Sequence, residues 1–180
     1  MTRQLEPHLS LVIPLYNEAE NLPVLAAEIR QALEPTARSW ECLFVDDGST
    51  DGSFEVLAAL AARDPTIRIL RHRRNAGQSA VLAAGFAAAR GVIVVTLDAD
   101  LQNDPAEIGA MLELLARENA DMVQGDRSHA RKDNVVRRVG SWVGRKFRLW
   151  LLGDTIRDTG CSLRLMKREI ALGLPLEFAG

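Results

Sequence analysis

Two aspartates, Asp98 and Asp100, directly follow a run of six apolar or β-branched residues, 92–97. Carboxylates at positions i and i+2, where a strand turns into a loop, can converge on one hard cation. Mg²⁺ and Mn²⁺ prefer oxygen ligands, and Mg²⁺ is usually held by one or two carboxylates while substrate phosphates complete its shell. Gln102 offers a further carbonyl oxygen. The spacing predicts a site for a divalent metal; the alternative is a pair of solvated loop acids.

A second polar cluster follows another predicted strand and begins with Asp46 and Asp47. One interpretation is a turn in which Ser49 or Asp51 caps the next helix. The other is a binding site in which Asp46 or Asp47 accepts hydrogen bonds from a nucleobase or a ribose. The two interpretations remain open at this point.

Several common catalytic patterns are absent from the sequence. It has no Gly-x-Gly-x-x-Gly, no P-loop and no Gly-x-Ser-x-Gly elbow, which argues against dehydrogenases, P-loop NTPases and α/β-hydrolases. The three histidines, His8, His72 and His129, show no ligand spacing, so each is predicted to be a surface residue. The two cysteines lie far apart and the first residues lack the apolar stretch of a signal peptide, which favours a reduced, cytoplasmic protein.

The elements that must position these side chains alternate along the first 126 residues. The predicted strands are 9–13 (ended by Pro14), 41–45, 67–70, 92–97 and 121–124. The predicted helices are 20–33, 54–62, 79–90 (closed by Gly91 as its C′ residue) and 105–118. This alternation predicts an α/β fold with a mostly parallel central sheet covered by helices on both faces. Ligands of such sheets bind beyond the carboxyl ends of the strands, where the polar clusters lie.

Length and composition fit one soluble globular domain: 180 residues, 47% of them hydrophobic and 26% charged. The net charge of −2 conceals an uneven distribution, because residues 127–148 hold 8 basic residues and 1 acid whereas residues 1–126 are strongly acidic. Apolar residues recur at helical spacing within the basic segment, which predicts one or two basic amphipathic helices. An acidic body without RNA-binding motifs argues against a nucleic-acid partner.

Ordered segments of the chain resemble the family 2 glycosyltransferases, which have the GT-A nucleotide-sugar fold. The resembling segments are 12–18, 45–52, 75–86 and 97–105, in that order. Segments 125–127 and 158–164, with the Leu-Gln-x-x-Pro extension of the metal motif, are similar to the polyprenyl-phosphate branch that includes dolichol-phosphate mannosyltransferases. The matches span residues 9–168, and several ordered motifs are far more specific than any one of them.

The resemblance implies roles for particular residues. Those that would hold the nucleotide are Pro14, Tyr16, Glu18, Asp46, Asp47 and Asp98. Those that would bind the metal are Asp98, Asp100 and Gln102. Those that would bind donor or acceptor phosphates are Arg127, Arg137, Arg138 and Arg164. Arg127 and Asp158 are the candidate catalytic residues; the alternative for Asp158 is that it orders its loop or pairs with Arg164.

The implied reaction is metal-dependent, inverting transfer of a sugar from a UDP- or GDP-linked donor to a polyprenyl phosphate, dolichyl or undecaprenyl, in cell-envelope glycan biosynthesis. Mg²⁺ or Mn²⁺ would neutralise charge on the leaving nucleoside diphosphate, and arginine forks suit phosphate oxygens. A phosphate monoester is already anionic near neutral pH, so its oxygen needs little help from a base. Cys161 stands where some relatives carry an acid, so a single catalytic base is not expected.

The resemblance also implies one catalytic domain over residues 1–180, with a nucleotide and metal half at about 9–126 and an acceptor-side segment at about 127–180. The basic segment, with Trp142, Phe147 and Trp150, would lie on the cytoplasmic face of a membrane; the alternative is that its apolar residues pack on the sheet and its arginines are solvated. Relatives continue past the position of Gly180, so elements that complete the acceptor site are expected to be missing.

Three other functions remain open at this stage. The first is a glycosyltransferase with a glycan or protein acceptor, and the second is a truncated, non-catalytic nucleotide-binding module. A nucleotidyltransferase is the third, and segments 75–86 and 158–164 argue against it. The sequence does not indicate the sugar, the nucleobase or the oligomeric state.

Overall fold

The computed structural model describes residues 7–36, 38–125 and 161–176. Its strands are β1 (Leu9–Leu15), β2 (Trp40–Asp46), β3 (Ile67–Arg71), β4 (Ile93–Thr96), β5 (Met122–Gln124) and β6 (Arg164–Lys167). Its helices are α1 (Leu22–Leu33), α2 (Ser53–Ala61), α3 (Gln78–Ala88), α4 (Glu107–Arg117) and α5 (Arg168–Gly173), with a short 3₁₀ turn at Glu34–Thr36. Every strand and helix predicted within the first 126 residues is present, with ends within two residues. The predicted basic helix lies outside the described residues.

The six described strands form one sheet in the order β3-β2-β1-β4-β6-β5. β1 pairs in parallel with β2 and with β4, and β2 pairs in parallel with β3. β6 runs antiparallel to both β4 and β5. The predicted α/β class with a mostly parallel sheet is therefore confirmed. Contacts group the described residues up to 124 and from 162 onward into one compact unit, and this sheet belongs to it.

Both faces of the sheet are covered, as the continuous apolar strands predicted. Leu11, Val12 and Ile13 are consecutive and fully buried, and successive strand residues point to opposite faces. The helices form two contact groups, since α1 contacts α2 and α4 whereas α3 contacts α5. Val12 and Phe86 of α3 belong to one core cluster, on the α3–α5 face.

Pro14 does not end the first strand, contrary to the sequence prediction. β1 continues to Leu15, and Pro14 pairs in register with Val45 of β2. The pairing of β1 with β4 ends before Pro14, at Val12 and Thr96. A proline is tolerated there because its missing N–H falls beyond the end of β4 and costs no ladder hydrogen bond.

Gly91 is not the C′ residue of α3, which ends at Ala88 with Ala89 already extended. The reason for a glycine here is close packing of the backbone. A Cβ at position 91 would lie 2.6 Å from the carbonyl carbon of Leu9 and 2.6 Å from the nitrogen of Ser10. The turn before β4 is thereby able to pass directly against the start of β1.

β6 and α5 were not predicted. The four residues of β6, Arg-Leu-Met-Lys, are flanked by charge and are too short for a clear period-2 pattern. Pairing on both sides, with β4 and β5, makes this segment a strand despite its composition. None of the described helices combines the length and the apolar character needed to cross a lipid bilayer.

Candidate functional site

A cavity of about 280 Å³ opens at the carboxyl ends of β1, β2 and β4. The chain moves from β1 to β2 on one side and returns to β4 on the other, so this is the switch point of the sheet, where ligands of α/β folds bind. The cavity lining includes six residues singled out from the sequence: Pro14, Tyr16, Glu18, Asp47, Asp98 and Asp100.

The loop after β1 is fastened to the loop after β2. Three of its backbone amides donate to side chains of the second loop: Asn17 to Ser49 Oγ at 2.9 Å, Glu18 to Ser53 Oγ at 2.9 Å and Ala19 to Asp51 Oδ2 at 3.1 Å. Hydrogen bonds from the Ser53 hydroxyl and from backbone amides lower the pKa of Asp51. The segment that carries Tyr16 and Glu18 is thus held in place by the polar cluster at 46–53.

The polar cluster at 46–53 also forms the turn that precedes α2. Asp51 Oδ1 accepts a hydrogen bond from the amide of Ser53, the first residue of α2, at 3.0 Å. The prediction that Ser49 or Asp51 is the N-cap of α2 is wrong, because the N-cap is Gly52, which has no side-chain cap hydrogen bond. The hydroxyl of Ser49 accepts from the amide of Asn17 instead. The cluster therefore both begins α2 and supports the cavity.

Asp47 lines the cavity with a carboxylate that is already fixed by three donors. Oδ1 accepts from the amide of Ala76 at 2.8 Å and lies 3.2 Å from Nδ1 of His72, and Oδ2 accepts from the amide of Gly77 at 2.9 Å. Gly77 has a φ of +89°, a conformation that favours glycine. The loop between β3 and α3 thus closes around Asp47.

Asp46, the neighbouring acid, does not line the cavity. Its side chain is fully buried, Oδ1 accepts from the amide of Ser49 at 2.8 Å, and Oδ2 lies 3.3 Å from Nε of Arg71. Arg71 also stacks over the ring of Phe54, with 4.3 Å between the guanidinium carbon and the ring centroid. The predicted contact between Asp46 and a nucleotide remains a prediction.

The loop after β4 brings Asp98 and Asp100 to the same cavity. No hydrogen bond within the described part of the chain reaches the Asp98 carboxylate, whereas Asp100 Oδ1 accepts from the amide of Gln102 at 3.1 Å. Leu101, which lies between Asp100 and Gln102, has a φ of +59°, an uncommon conformation for a leucine. Backbone strain of this kind is often found at functional sites.

These two carboxylates fit a hard divalent cation. Their oxygens are the donor type that Mg²⁺ and Mn²⁺ prefer, and Mg²⁺ is usually held by one or two carboxylates. The described residues contain no group of three or more His, Cys, Asp or Glu side chains that could hold a metal ion. An ion bound here would keep positions for phosphate oxygens and water. Gln102 is exposed and does not line the cavity, so its role as a ligand stays a prediction.

The loop after β4, which carries Asp98 and Asp100, is also hydrogen-bonded to the segment that precedes β6. Asn103 Nδ2 donates to Ser162 Oγ at 2.7 Å, and Thr96 Oγ1 donates to the carbonyl of Ser162 at 2.6 Å. Arg164, two residues on, begins β6 opposite Thr96. Of the other predicted site residues, Arg127, Arg137, Arg138 and Asp158 lie outside the described residues.

Comparison with known proteins identifies the family. The model of glycosyl transferase family 2 matches residues 10–173. This chain belongs to glycosyl transferase family 2.

Curated relatives within glycosyl transferase family 2 carry specific names. A dodecaprenyl-phosphate galacturonate synthase of Rhizobium johnstonii is 34% identical over 163 residues, covering 90% of this chain and 48% of the relative. An undecaprenyl-phosphate 4-deoxy-4-formamido-L-arabinose transferase of Pectobacterium carotovorum is 41% identical over 165 residues, covering 91% of this chain and 50% of the relative. The chain spans about half the length of the curated relatives it matches.

Solved structures of glycosyltransferases share the fold. A mannosyltransferase from Pyrobaculum calidifontis, in complex with GDP-Man and Mn²⁺, aligns with a TM-score of 0.66 at 23% identity, covering 93% of this chain and 46% of that chain. A glucosyl-3-phosphoglycerate synthase from Mycobacterium tuberculosis, in complex with phosphoglyceric acid, aligns with a TM-score of 0.69 at 21% identity, covering 91% and 58%. The predicted GT-A fold is confirmed.

Several residues at the site of this family 2 chain were not predicted from the sequence. Asn75, Gly77 and Gln78 line the cavity, and their segment was recognised as a motif but assigned no role. His72 was predicted to be a surface residue, but its side chain is only 24% exposed and contacts Asp47. The signal for the first three was a glycine close to polar residues and directly before a helix. His72 carried no signal, since its partner lies 25 residues away.

Proposed function

We propose that this chain carries the donor-binding part of a metal-dependent, inverting glycosyltransferase that moves a sugar from a nucleotide sugar to a polyprenyl phosphate. The observation that carries the proposal is one cavity lined by Tyr16, Asp47, Asp98 and Asp100. In this proposal, Asp47 would accept hydrogen bonds from the nucleoside, and Asp98 and Asp100 would bind the metal–diphosphate. Relatives at 34% and 41% identity, named for transfer to dodecaprenyl and undecaprenyl phosphate, support the acceptor class.

The donor would lie across the carboxyl ends of β1, β2 and β4. Tyr16, whose side chain is half exposed, and Glu18 offer an aromatic surface and a carboxylate at one side of the cavity. Asp47 offers a fixed acceptor for the nucleoside. Two solved structures with this fold, bound to GDP-Man with Mn²⁺ and to UDP-Glc with Mn²⁺, support a nucleotide sugar as the ligand class.

Asp98 and Asp100 would hold Mg²⁺ or Mn²⁺ through carboxylate oxygens, with Gln102 as a further candidate. The ion would neutralise negative charge on the departing nucleoside diphosphate. The turn at Leu101 and the hydrogen bond from Asn103 to Ser162 would help to hold this loop, and with it both carboxylates, at the cavity.

In the reaction, an oxygen of the acceptor phosphate attacks the anomeric carbon of the sugar. The bond from that carbon to the diphosphate oxygen breaks, and the electron pair leaves with the nucleoside diphosphate. Because the attacking oxygen is already anionic, no base has to remove a proton from it. Asp158 would then act on the acceptor side without being an obligatory base, and Arg127 would bind phosphate charge as the reaction proceeds.

The acceptor phosphate would be bound by Arg127, Arg137, Arg138 and Arg164. The arginine fork matches phosphate oxygens in geometry and charge. Arg164 starts β6 beside Thr96, at the same edge of the sheet as the cavity. The basic segment 127–148 would attach the protein to the cytoplasmic face of a membrane, where a polyprenyl phosphate resides.

A screen of nucleotide sugars against a short polyprenyl phosphate, with product masses measured, tests the proposal. The expected product has the mass of a polyprenyl phosphate plus one sugar, and it forms only with Mg²⁺ or Mn²⁺ present. Transfer to a soluble glycan or peptide instead would show that the acceptor class is wrong. If neither UDP nor GDP binds in Mn²⁺, the donor site itself is wrong.

A further inference from the structure

His72 restricts how Asp47 can bind a nucleobase. The side chain of His72, the residue that follows β3, contacts the loop that carries Asp47, with Nδ1 3.2 Å from Asp47 Oδ1. A carboxylate oxygen can only accept, so Nδ1 must be the protonated ring nitrogen. The backbone amide of His72 donates to the carbonyl of Asp46 at 2.8 Å, which fixes the histidine at the end of β3.

The hydrogen-bond capacity of the Asp47 carboxylate is almost used up within the protein. A carboxylate has about four acceptor positions, two on each oxygen. Among the described residues, Oδ1 accepts from the amide of Ala76 and faces Nδ1 of His72, whereas Oδ2 accepts from the amide of Gly77 alone. One acceptor position, on Oδ2, is left for a ligand.

Asp46 is not a second acceptor in the lining of the cavity. Its carboxylate is fully buried, it bonds the amide of Ser49, and its other oxygen faces Arg71. It is also absent from the lining of the cavity. Asp46 therefore adds no open acceptor position to the one that Asp47 offers in the cavity.

The nucleobases differ in what they present to such an acceptor. Guanine carries two adjacent donors, N1–H and the exocyclic amine, which together require both oxygens of a carboxylate. Uracil carries one donor, N3–H, between two carbonyl oxygens. Placing guanine on Asp47 would leave one of its donors without a partner on this carboxylate, and an unpaired buried donor is costly.

We infer that His72 determines nucleobase specificity, because it occupies the position on Asp47 Oδ1 that a second donor of the base would need. The carboxylate then selects a single-donor base such as uracil over guanine. This inference rests on the proposed function, since it requires that Asp47 meets the base of the donor. His72 is a positioning residue: it acts through Asp47 and does not itself contact the donor.

The experiment measures the dissociation constants of UDP, GDP and IDP by isothermal titration calorimetry in the presence of Mn²⁺. IDP is the size-matched control for GDP, because hypoxanthine lacks only the exocyclic amine. The wild-type chain is expected to bind UDP about tenfold to a hundredfold more tightly than GDP. It is expected to bind GDP no more tightly than IDP, because the exocyclic amine finds no acceptor on Asp47.

Three variants separate specificity from stability. His72→Ala opens the position on Oδ1, so it should strengthen GDP binding relative to IDP by about tenfold and narrow the preference for UDP. His72→Asn, which keeps a donor where Nδ1 was, should restore the wild-type preference. Arg73→Ala, at the next residue, should change the affinities for all three nucleotides by the same factor.

The possible failures are distinguishable. If no nucleotide binds the wild-type chain, the proposed function is wrong. The inference about His72 is wrong, while the proposed function stands, if the wild-type chain binds GDP as tightly as UDP. The same holds if His72→Ala leaves the ratio of the dissociation constants of GDP and IDP unchanged. The three wild-type constants test the inference even if His72→Ala does not fold.

Discussion

Asp98 and Asp100 give the sharpest prediction at the scale of single residues. Both line the cavity, and together they would offer the carboxylate oxygens of the metal site. Replacing both with asparagine keeps their shape but removes two negative charges. We expect Asp98→Asn/Asp100→Asn to weaken Mn²⁺-dependent nucleotide binding by roughly a hundredfold, since an ion there would offset the diphosphate charge. Titration calorimetry with and without Mn²⁺ measures this.

A control for that experiment lies in the same loop. Asp104 is exposed and accepts a hydrogen bond from the amide of Ala106 at 2.9 Å, outside the lining of the cavity. Asp104→Asn should leave Mn²⁺-dependent binding unchanged. If Asp104→Asn and the double variant lost Mn²⁺-dependent nucleotide affinity to the same extent, a specific metal role for Asp98 and Asp100 would be contradicted.

The aspartate pair at 46–47 shows what sequence can and cannot predict about single residues. The position of both acids after a strand predicted that they lie at the ligand edge of the sheet, and they do. Which of them faces the cavity could not be predicted, because it depends on contacts with distant residues. Arg71 engages Asp46, and His72 and Gly77 engage Asp47.

At the scale of elements, the packing of α3 on the sheet depends on a small residue. A Cβ at Gly85 would lie 2.3 Å from Cγ1 of Val12 and 3.2 Å from Cγ2 of Val45. Val12 is fully buried and β-branched, so it has little room to move. We expect Gly85→Ala to lower the free energy of unfolding by about 1–3 kcal/mol. Urea denaturation followed by circular dichroism measures it.

The matched variant is in α4, at a helical glycine with free space around it. A Cβ at Gly109 would meet nothing within 4 Å, so Gly109→Ala should raise the free energy of unfolding by about 0.5–1 kcal/mol. If both alanine variants changed stability in the same direction, packing against Val12 would not be the reason for Gly85.

The hydrophobic pattern predicted the described elements wherever one face or both faces of an element are buried. Leu22, Leu25, Ile29 and Leu33 have helical spacing in the sequence and are the buried residues of α1. The same reasoning failed for β6, because four residues carry too little pattern. It failed for the end of β1 because the tolerance of Pro14 depends on where β4 stops.

Across the whole molecule, a buried network around Glu41 joins β1, β2, β3 and the turn before β4. Glu41 accepts from Ser10 Oγ at 2.6 Å, from Arg68 Nη1 at 2.6 Å and from the amide of Arg90 at 2.8 Å. Burial would raise the pKa of Glu41, but the hydrogen bonds from Ser10, Arg68 and Arg90 outweigh it, and the pKa is lowered. The ionised form of Glu41 therefore stabilises the folded state.

Because the pKa of Glu41 is lower in the folded chain than in the unfolded one, its contribution is present above the unfolded value of about 4.3 and is lost as the pH falls through the folded value. We expect Glu41→Gln to cost about 1–3 kcal/mol at pH 7 and progressively less below about pH 4. Urea denaturation at a series of pH values measures this. The exposed Glu28→Gln should stay within about 0.5 kcal/mol of wild type, and a pH-independent loss in Glu41→Gln would contradict the argument.

The uneven charge of the chain leads to the last prediction. Residues 127–148 carry a net charge of +7 in a protein of net charge −2, and each basic residue near an anionic bilayer contributes about 1 kcal/mol. Arg145→Glu/Lys146→Glu/Arg148→Glu should reduce binding to anionic vesicles by about a hundredfold or more in flotation assays. The exposed triple variant Arg38→Glu/Arg63→Glu/Arg117→Glu changes the net charge equally. It should keep most of the binding if the basic segment is the membrane contact, and equal losses would show that only total charge matters.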